Sequence, residues 1–335
     1  MSLARTYAIT AILLLGTILF AQTNKQQACA IAFYNMENLF DTIHCEGKND
    51  YEFLPRGVNR WDSKRYNSKI ENMATVVADL CDTYNSAIIG VCEVENSNVL
   101  NHLVSNPKLK AYNLKYIHRE SDDTRGIDCA MLYNPLLFTP EQSTLIPYGG
   151  REWQSKTRGY LVVRGKLANE AIHIIVNHWP SRHAKSPARE YAASRVKAIK
   201  DSIATHHPQS MIAVMGDLND NPDNKSLKEI LEAHRELAEC KKSSDLYNPW
   251  WNTLRKQKQG TVVFRDRWQL YDQIIISRNM CDKEGLKYRQ CHIHKPPYML
   301  YSKGDYKGFP MRTFANGEWR NGYSDHLPVV ISLGR

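Results

Sequence analysis

Residues 211–220 read Met-Ile-Ala-Val-Met-Gly-Asp-Leu-Asn-Asp, an apolar run that ends in polar side chains. The consecutive apolar residues predict a strand buried on both faces. Asp217, Asn219 and Asp220 follow it directly. Because ligands of α/β proteins bind beyond the ends of buried strands, this stretch predicts a central strand and part of a site.

The same arrangement of an apolar run beside polar residues recurs along the chain. Each polar group alone has an ordinary structural explanation, such as a turn or a satisfied buried side chain. Strand ends along one sheet edge converge in space, so six such groups together predict one cleft. The other five groups are Asn35, Glu37 and Asn38; Glu93 and Glu95; Asn177 and His178; Asp272; and Asp325 and His326.

The periodicity predicts a mixed α/β (α+β) domain over residues 28–335, because strands and helices alternate without a linker or repeat. Helices are predicted around residues 70–81, 191–203 and 227–237. The segment Leu246–Arg267, with Trp250 and Trp251, is interpreted as an irregular excursion that could face the substrate. Strands are predicted at Ala28–Tyr34, Ala87–Cys92, Asp128–Tyr133, Tyr160–Lys166, Ala171–Asn177, Met211–Met215, Leu270–Ser277 and Leu327–Leu333.

The N-terminus has the pattern of a secretory signal. Arg5 precedes the apolar stretch Tyr7–Phe20, and Ala21 ends it, so residues 1–21 are expected to be removed. An uncleaved membrane anchor is the alternative. We expect a secreted or periplasmic monomer without a stable membrane anchor, whose formal net charge of +9 for the whole chain weakly favours polyanionic partners.

The cysteines indicate no zinc site. None of the eight forms a C-x-x-C pair. Cys92 and Cys129 lie in apolar runs and are expected to be buried as small hydrophobic residues. Cys281 and Cys291 are the best candidates for a disulfide.

Two other metal sites can be excluded from the sequence. An EF-hand that begins at Asp217 would need Gly at its sixth position and Glu at its twelfth, where this chain has Pro222 and Lys228. A binuclear metallophosphatase needs Asp-x-His and Gly-Asn-His, and the chain has neither. The available oxygen donors favour Mg²⁺, with Mn²⁺ or Ca²⁺ as alternatives, over zinc.

These segments together resemble the endonuclease/exonuclease/phosphatase superfamily, which has the DNase-I-like fold. The resemblance implies a four-layer α/β/β/α sandwich of two packed mixed sheets, with the site at one edge of the sheets. The matching segments are Phe33-Tyr-Asn-Met-Glu-Asn-Leu-Phe40, Val91-Cys-Glu-Val-Glu95, Arg125-Gly-Ile-Asp-Cys-Ala130, Val176-Asn-His-Trp179, Gly216-Asp-Leu-Asn219, Tyr271-Asp-Gln273 and Ser324-Asp-His-Leu-Pro328.

The resemblance also implies individual roles. Glu93 corresponds to the principal metal ligand, with Asn35 beside it and Asp325 as a further ligand of the same or a second ion. The remaining matched residues correspond to catalytic positions: Asp217 and Asn219 to the pair that orients the attacking water, His326 and Asp272 to an imidazole–carboxylate pair, and His178 to a phosphate contact.

The expected reaction is metal-dependent hydrolysis of a phosphoester. Either Asp217 or the Asp272–His326 pair could take the proton from water. A nuclease acting on DNA or RNA is the first expectation, with Arg182, Trp250 and Trp251 as substrate contacts. The alternatives are a phosphatase or a phospholipid (sphingomyelinase-type) phosphodiesterase of the same fold, and a binding module without catalysis.

Overall fold

The computed structural model describes residues 29–149, 156–282 and 284–335. The predicted signal segment, residues 1–21, lies outside these ranges. Among the described helices, none combines the length and the apolar character needed to cross a bilayer.

Two mixed sheets form the centre of the fold, with strand orders β14-β17-β1-β2-β4-β3 and β5-β6-β7-β8-β13-β10-β9. The first sheet consists of β1 (Cys29–Leu39), β2 (Ser86–Val94), β3 (Lys115–His118), β4 (Asp128–Tyr133), β14 (Lys287–Ile293) and β17 (Val329–Gly334). The second consists of β5 (Phe138–Ile146), β6 (Tyr160–Leu167), β7 (Glu170–His178), β8 (Met211–Asp217), β9 (Ala233–His234), β10 (Leu246–Tyr247) and β13 (Asp272–Ser277). Two hairpins lie outside both sheets: β11 (Val262–Phe264) with β12 (Arg267–Gln269), and β15 (Phe314–Ala315) with β16 (Glu318–Trp319).

The two sheets pack face to face through the side chains that alternate along each strand. Ile31 and Phe33 of β1 belong to the same buried cluster as Ile174 and Val176 of β7. Gly90 of β2 lies where the sheets come close, since a Cβ atom there would be 2.4 Å from the sulfur of Met215. The inner faces of both sheets therefore form one continuous core.

Helices cover the two outer faces. The long helices are α1 (Ser63–Tyr84), α2 (Ser97–Val104) and α3 (Ser186–His206), and the short ones are α4 (Trp251–Arg255) and α5 (Asn279–Asp282). Val77 of α1 packs in the cluster that contains Ala32 of β1, and Val196 of α3 packs with Ile175 of β7 and Val214 of β8. This order of layers confirms the predicted four-layer α/β/β/α sandwich.

The start and end of α1 follow from its flanking residues. The side chain of Asp62 accepts a hydrogen bond from the backbone N–H of Arg65 at 2.9 Å, which satisfies one free donor of the first turn. Asn85 then ends the helix in the left-handed conformation, with φ of 52°.

Some predicted elements are wrong. The helix predicted around residues 227–237 is reduced to one π-helical turn, Ser226–Ile230, because the chain reverses at Glu232 with φ of 57° and continues into β9. The segment Leu246–Arg267 is not irregular: it contains β10, α4 and β11.

The described cysteines, all eight of the chain, are free thiols, so the predicted Cys281–Cys291 disulfide is also wrong. The thiol of Cys291 lies 3.6 Å from the carbonyl oxygen of Pro249 instead. Cys92 and Cys129 are buried, as predicted.

Candidate active site

Strand pairing brings the predicted polar residues to one end of both sheets. In the first sheet, Asn35 of β1 is paired with Cys92 of β2, directly before Glu93. In the second sheet, Asp217 of β8 is paired with His178 of β7 on one side and with Asp272 of β13 on the other. His178 and Asp217 are the last residues of β7 and β8 and Asp272 is the first residue of the antiparallel β13, so the strand register places all three side chains at one end of the second sheet.

His326 and Asp272 form a buried imidazole–carboxylate pair. Nδ1 of His326 lies 2.6 Å from Oδ2 of Asp272. Burial by itself lowers the pKa of His326, but the charges of Asp272, Asp217 and Asp325 outweigh it and raise this pKa well above its ordinary value. The imidazole is therefore cationic near neutral pH, and Asp272 fixes which nitrogen faces the cleft.

Asp217 lies at the centre of the site. Its Oδ2 atom is 3.1 Å from Nδ2 of Asn35, 3.6 Å from Nε2 of His178 and 3.8 Å from Nε2 of His326. Its Oδ1 atom accepts a hydrogen bond from the backbone N–H of Asn219 at 3.0 Å. Burial raises the pKa of Asp217 to about 7, although the charge of His326 lowers it. A carboxylate with this pKa can accept and release a proton near neutral pH.

Glu93 projects from a distorted strand. The pairing of β2 with β4 shifts register between Cys92 and Val94, and Glu93 has φ of 59°. Such a left-handed residue at a bulge re-aims its side chain at a small conformational cost. Its Oε1 atom lies 3.5 Å from Nδ2 of Asn35, and its Oε2 atom accepts from the N–H of Asn38 at 3.0 Å.

His178 is held as a neutral imidazole. Burial lowers its pKa well below the ordinary value, and the charges of Arg158, Arg125 and His326 lower it further. Nε2 of His178 lies 3.8 Å from Oε1 of Glu93. Its Nδ1 atom is buried without a hydrogen-bond partner in the described part of the chain.

Asp325 lies beside Arg312, which was not predicted from the sequence, and Arg312 in turn binds Glu37, a member of one of the six predicted polar groups. The Oδ2 atom of Asp325 is 2.9 Å from Nη2 of Arg312, and Nε of Arg312 is 3.4 Å from Oε1 of Glu37. Glu37 also accepts a hydrogen bond from the N–H of Thr313 at 2.7 Å. Burial and the charge of Asp325 raise the pKa of Glu37 to about 7, against the lowering effect of Lys69 and Arg312.

The sequence predicts Glu37 at the cleft without assigning it a role, and it does not predict Arg312. Glu37 interrupts the apolar run of β1, so an acidic residue inside a buried strand was the available signal. Arg312 comes from a long connection between short elements, and no local pattern marks it.

The donor set fits a divalent cation. Oxygens of Glu93 and Asp217 face the same two groups, the amide of Asn35 and the imidazole of His178. Neighbouring buried carboxylates repel one another, and a cation relieves that repulsion. Carboxylate and amide oxygens suit Mg²⁺ or a similar hard ion. Asn35 directs its amide nitrogen to the carboxylates here, so it would act as a ligand only with its amide turned over.

A compact cluster of possible ligands also includes His326. Donor atoms of Asp217, Asp272 and His326 lie within 4.8 Å of one another. Because Nδ1 of His326 is already bound to Asp272 at 2.6 Å, this cluster is better explained as a hydrogen-bonded acid–base group than as a metal centre.

Arg182 and Asn219, two further predicted site residues, both have hydrogen-bonded or charged partners within the protein. Arg182 is exposed at the margin of the site, where it binds the carboxylate of Asp220 and lies 5.7 Å from the ring centroid of Tyr271. Asn219 directs its side-chain amide to the carbonyl oxygen of Trp179 at 3.1 Å.

The prediction that Trp250 contacts the substrate is wrong. Trp250 is fully buried in the core between the sheets and donates a hydrogen bond from Nε1 to the carbonyl of Ile274 at 2.9 Å, so it has no surface for a substrate. Trp251 is partly exposed, and the guanidinium of Arg235 lies 5.9 Å from its ring centroid.

Comparisons with known proteins agree with the fold. The sequence pattern of the Endonuclease/Exonuclease/phosphatase family matches residues 30–335. None of the curated proteins matches the chain by sequence.

Several solved structures share the fold at low sequence identity. Mannosyl-6-phosphatase Bt3783 of Bacteroides thetaiotaomicron has a TM-score of 0.58 and 15% identity, over 92% of this chain and 100% of that one. A humanized D. rerio TDP2 has a TM-score of 0.57 and 10% identity, over 92% and 99% of the two chains. The human Nocturnin catalytic domain with bound sulfate has a TM-score of 0.55 and 14% identity, over 91% and 94%.

Proposed function

Because the chain belongs to the endonuclease/exonuclease/phosphatase family, we propose that it is a phosphoester hydrolase that uses a divalent metal ion. The observation that carries this proposal is the convergence of Asp217, Glu93 and the Asp272–His326 pair at one end of the two sheets. An acid, a base and a cluster of oxygen donors within one cleft provide the groups that phosphoester hydrolysis needs.

Glu93 would hold the ion, with Asn35 and Asp325 as further ligands. A bound divalent ion supplies positive charge that stabilises the anionic phosphoryl oxygens and the leaving oxygen. Arg312, which is bound to Asp325 at 2.9 Å, would add a second positive charge on this side of the cleft.

Asp217 is the proposed general base. Its pKa of about 7, raised by burial, allows it to take a proton from an attacking water. The backbone N–H of Asn219 holds Oδ1 of Asp217 at 3.0 Å, so that Oδ2 remains directed to the cleft.

The proposed role of His326 is different. Since the neighbouring carboxylates keep it cationic, it is a poor base and a good hydrogen-bond donor to a phosphoryl oxygen. Asp272 keeps Nε2 of His326 directed to the cleft, and the neutral His178 is a further donor to the phosphate.

The proposed substrate is a nucleic acid phosphodiester. Arg125, Arg182 and Arg312 are exposed near the site, and the chain as a whole is basic. Positive charge around a cleft attracts polyanions. One structure with this fold, D. rerio TDP2, is described as a complex with single-strand DNA product. We further propose that the protein is exported, on the basis of the signal pattern at residues 1–21.

A substrate panel tests the proposal. Purified protein with Mg²⁺, Mn²⁺ or Ca²⁺ is incubated with plasmid DNA, RNA, bis(p-nitrophenyl) phosphate, p-nitrophenyl phosphate and sphingomyelin vesicles. We expect cleavage of nucleic acid and of the diester, and an Asp217→Ala variant should lose about 10²-fold in turnover. Leu136→Ala is the control, because Leu136 is 91% exposed in the turn between β4 and β5, away from the catalytic strand ends.

Other outcomes would redirect the assignment. Release of phosphate from the monoester alone would replace the nuclease with a phosphatase, and release of phosphocholine alone would replace it with a phospholipid phosphodiesterase. Absence of hydrolysis with every substrate and metal would contradict the proposed function.

A further inference from the structure

Two tight hairpins stand beside the site and belong to neither main sheet. The β11–β12 hairpin turns at Arg265 and Asp266, with φ of 50° and 58°. The β15–β16 hairpin turns at Asn316 and Gly317, with φ of 54° and 74°. Two-residue turns with positive φ at both positions match the twist of the strands and are well-defined connections. The backbone at both tips is therefore well defined.

The β11–β12 hairpin is fixed to the catalytic residues. Val262 of β11 forms a backbone bridge with His326. The N–H of Leu327 donates to the carbonyl of Thr261 at 2.8 Å, and the hydroxyl of Thr261 accepts from the N–H of Asp272 at 3.3 Å. This hairpin and the imidazole–carboxylate pair are thus positioned together.

A pocket of about 210 Å³ lies between the two hairpins and reaches Asp325. Its aromatic wall comes from the connection before β15. Tyr301, Tyr306, Phe309, Arg265, Asn316 and Asp325 are among the residues that line it.

One ring of the aromatic wall is accessible to a ligand. Tyr306 is 46% exposed, and its ring centroid lies 5.9 Å from that of Tyr301. The hydroxyl of Tyr301 is buried without a hydrogen-bond partner among the described residues. Phe309 is supported from behind by an edge contact with Trp268 at 5.9 Å between centroids. The exposed ring of Tyr306, beside the supported ring of Phe309, offers an apolar face on which a planar group can stack.

Charge and size restrict the ligand. The lining includes two cations, Arg265 and Arg312, and two anions, Asp266 and Asp325, so their formal charges cancel. A second phosphate is therefore not favoured. Pockets for drug-sized ligands measure about 300–1,000 Å³, so a volume of about 210 Å³ suits one uncharged ring system. A flat ring would stack on the aromatic side chains and present its polar edge to Asn316 or Arg265.

We propose that this pocket binds the nucleobase of the nucleotide next to the scissile phosphate, an assignment that rests on the proposed phosphoester hydrolysis. The pocket suits a nucleotide because Asp325, one of its lining residues, also lies beside Arg312 and 4.0 Å from Nε2 of His326, which faces the phosphate in the proposed reaction. The base stacks on Tyr306 and Phe309 and forms hydrogen bonds at its edge. Arg312 separates this pocket from Glu37 and the deeper part of the site.

The test compares p-nitrophenyl phosphodiesters that release the same leaving group. The second ester group is thymidine (through its 5′ oxygen), methyl, or glucose (through its 6 oxygen). We expect kcat/KM for the thymidine ester to exceed that for the methyl ester by about tenfold or more, as stacking on one aromatic platform predicts. Tyr306→Ala should reduce this ratio by about tenfold, and Tyr306→Phe, which keeps the ring, should preserve it. Leu136→Ala serves as the surface control.

The outcomes separate the two proposals. If neither the thymidine nor the methyl ester is hydrolysed, the proposed function fails. If both are hydrolysed at equal kcat/KM, or if Tyr306→Ala leaves the ratio unchanged, the function stands and the nucleobase pocket is overturned. A glucose ester preferred over the thymidine ester also overturns it.

A competition assay identifies the source of the base. Inhibition of methyl ester hydrolysis by an oligothymidylate alone supports a base within a nucleic acid, and inhibition by thymidine 5′-monophosphate alone supports a free nucleotide. Absence of inhibition by both would count against the pocket.

Discussion

Replacement of Asp272 by Asn removes the charge that most directly supports the His326 imidazolium while it keeps the shape of the side chain. In the native protein, Nδ1 of His326 and Oδ2 of Asp272 are 2.6 Å apart and both groups are buried. The charge of Asp272 is the largest of the contributions that raise the pKa of His326. Burial, which lowers this pKa, is unaffected by the substitution.

The magnitude follows from the contact that is lost. A hydrogen bond between charged groups contributes about 1.5–3 kcal/mol, and the imidazolium also loses a buried charge partner. If about 2–4 kcal/mol of this is lost in the transition state, kcat falls roughly 30- to 1,000-fold, since each 1.36 kcal/mol is a factor of ten.

The pH dependence has a defined sign. In the native protein His326 stays protonated until the pH is well above the ordinary pKa of histidine. In Asp272→Asn the pKa of His326 moves down, so the imidazolium is lost as the pH rises through this lower value. The alkaline limb of the variant's kcat profile should therefore lie at lower pH than that of the native protein, while the fall in activity at acid pH, caused by protonation of Asp217, remains.

The assay is the pH profile of kcat for bis(p-nitrophenyl) phosphate hydrolysis at saturating Mg²⁺. Asp201→Asn is the matched control, because Asp201 is half exposed on α3, where it pairs with Lys197. A variant with kcat within threefold of the native protein and an unchanged profile would refute the role assigned to the Asp272–His326 pair.

Two further predictions concern the fold. Trp250→Ala should lower the free energy of unfolding by about 3–5 kcal/mol, because it empties a fully buried site and leaves the carbonyl of Ile274 unpaired. Urea denaturation measures this loss. A loss below about 1 kcal/mol would contradict the burial of Trp250 in the core. Burial and the charges of His207 and Arg164 lower the pKa of His173 to about 4. As the pH falls below about 6.5, the histidine is protonated in the unfolded chain before it is protonated in the folded protein. The folded state therefore loses stability between about pH 6.5 and pH 4. His173→Gln should reduce the loss of stability between pH 7 and pH 5 by about 1–2 kcal/mol, and equal losses in both proteins would contradict this.

The sequence was sufficient to predict strands that are buried on both faces. The apolar runs at β4, β7 and β8 were found within a few residues of their bounds, because burial requires a continuous apolar pattern. Strands β5 and β14 lie at sheet edges and carry polar side chains, and β5 contains Pro140 beside a register shift. Such strands lack the pattern that burial imposes, so they were missed.

The site residues that could be predicted are those whose position is indicated by the neighbouring residues in the sequence. Asp217 ends β8 and Glu93 lies one residue before the end of β2, and a carboxylate beside buried residues requires a partner. Arg312 and Tyr306 come from connections whose course depends on tertiary contacts, such as the hydrogen bond between the N–H of Met311 and the carbonyl of Met299. Trp250 was misplaced for the same reason, since nothing in its flanking residues distinguishes a tryptophan in a surface loop from one that closes the core.

Glu93 is proposed to hold a divalent ion on which hydrolysis depends. The direct measurement is the rate of bis(p-nitrophenyl) phosphate hydrolysis after treatment with EDTA and again after addition of Mg²⁺, for the native protein and for Glu93→Gln. We predict that EDTA abolishes native activity, that Mg²⁺ restores it, and that Glu93→Gln stays at least about 10²-fold less active at the same Mg²⁺ concentration. Hydrolysis that persists without a metal ion, or a Glu93→Gln variant restored to native activity by Mg²⁺, would contradict the account.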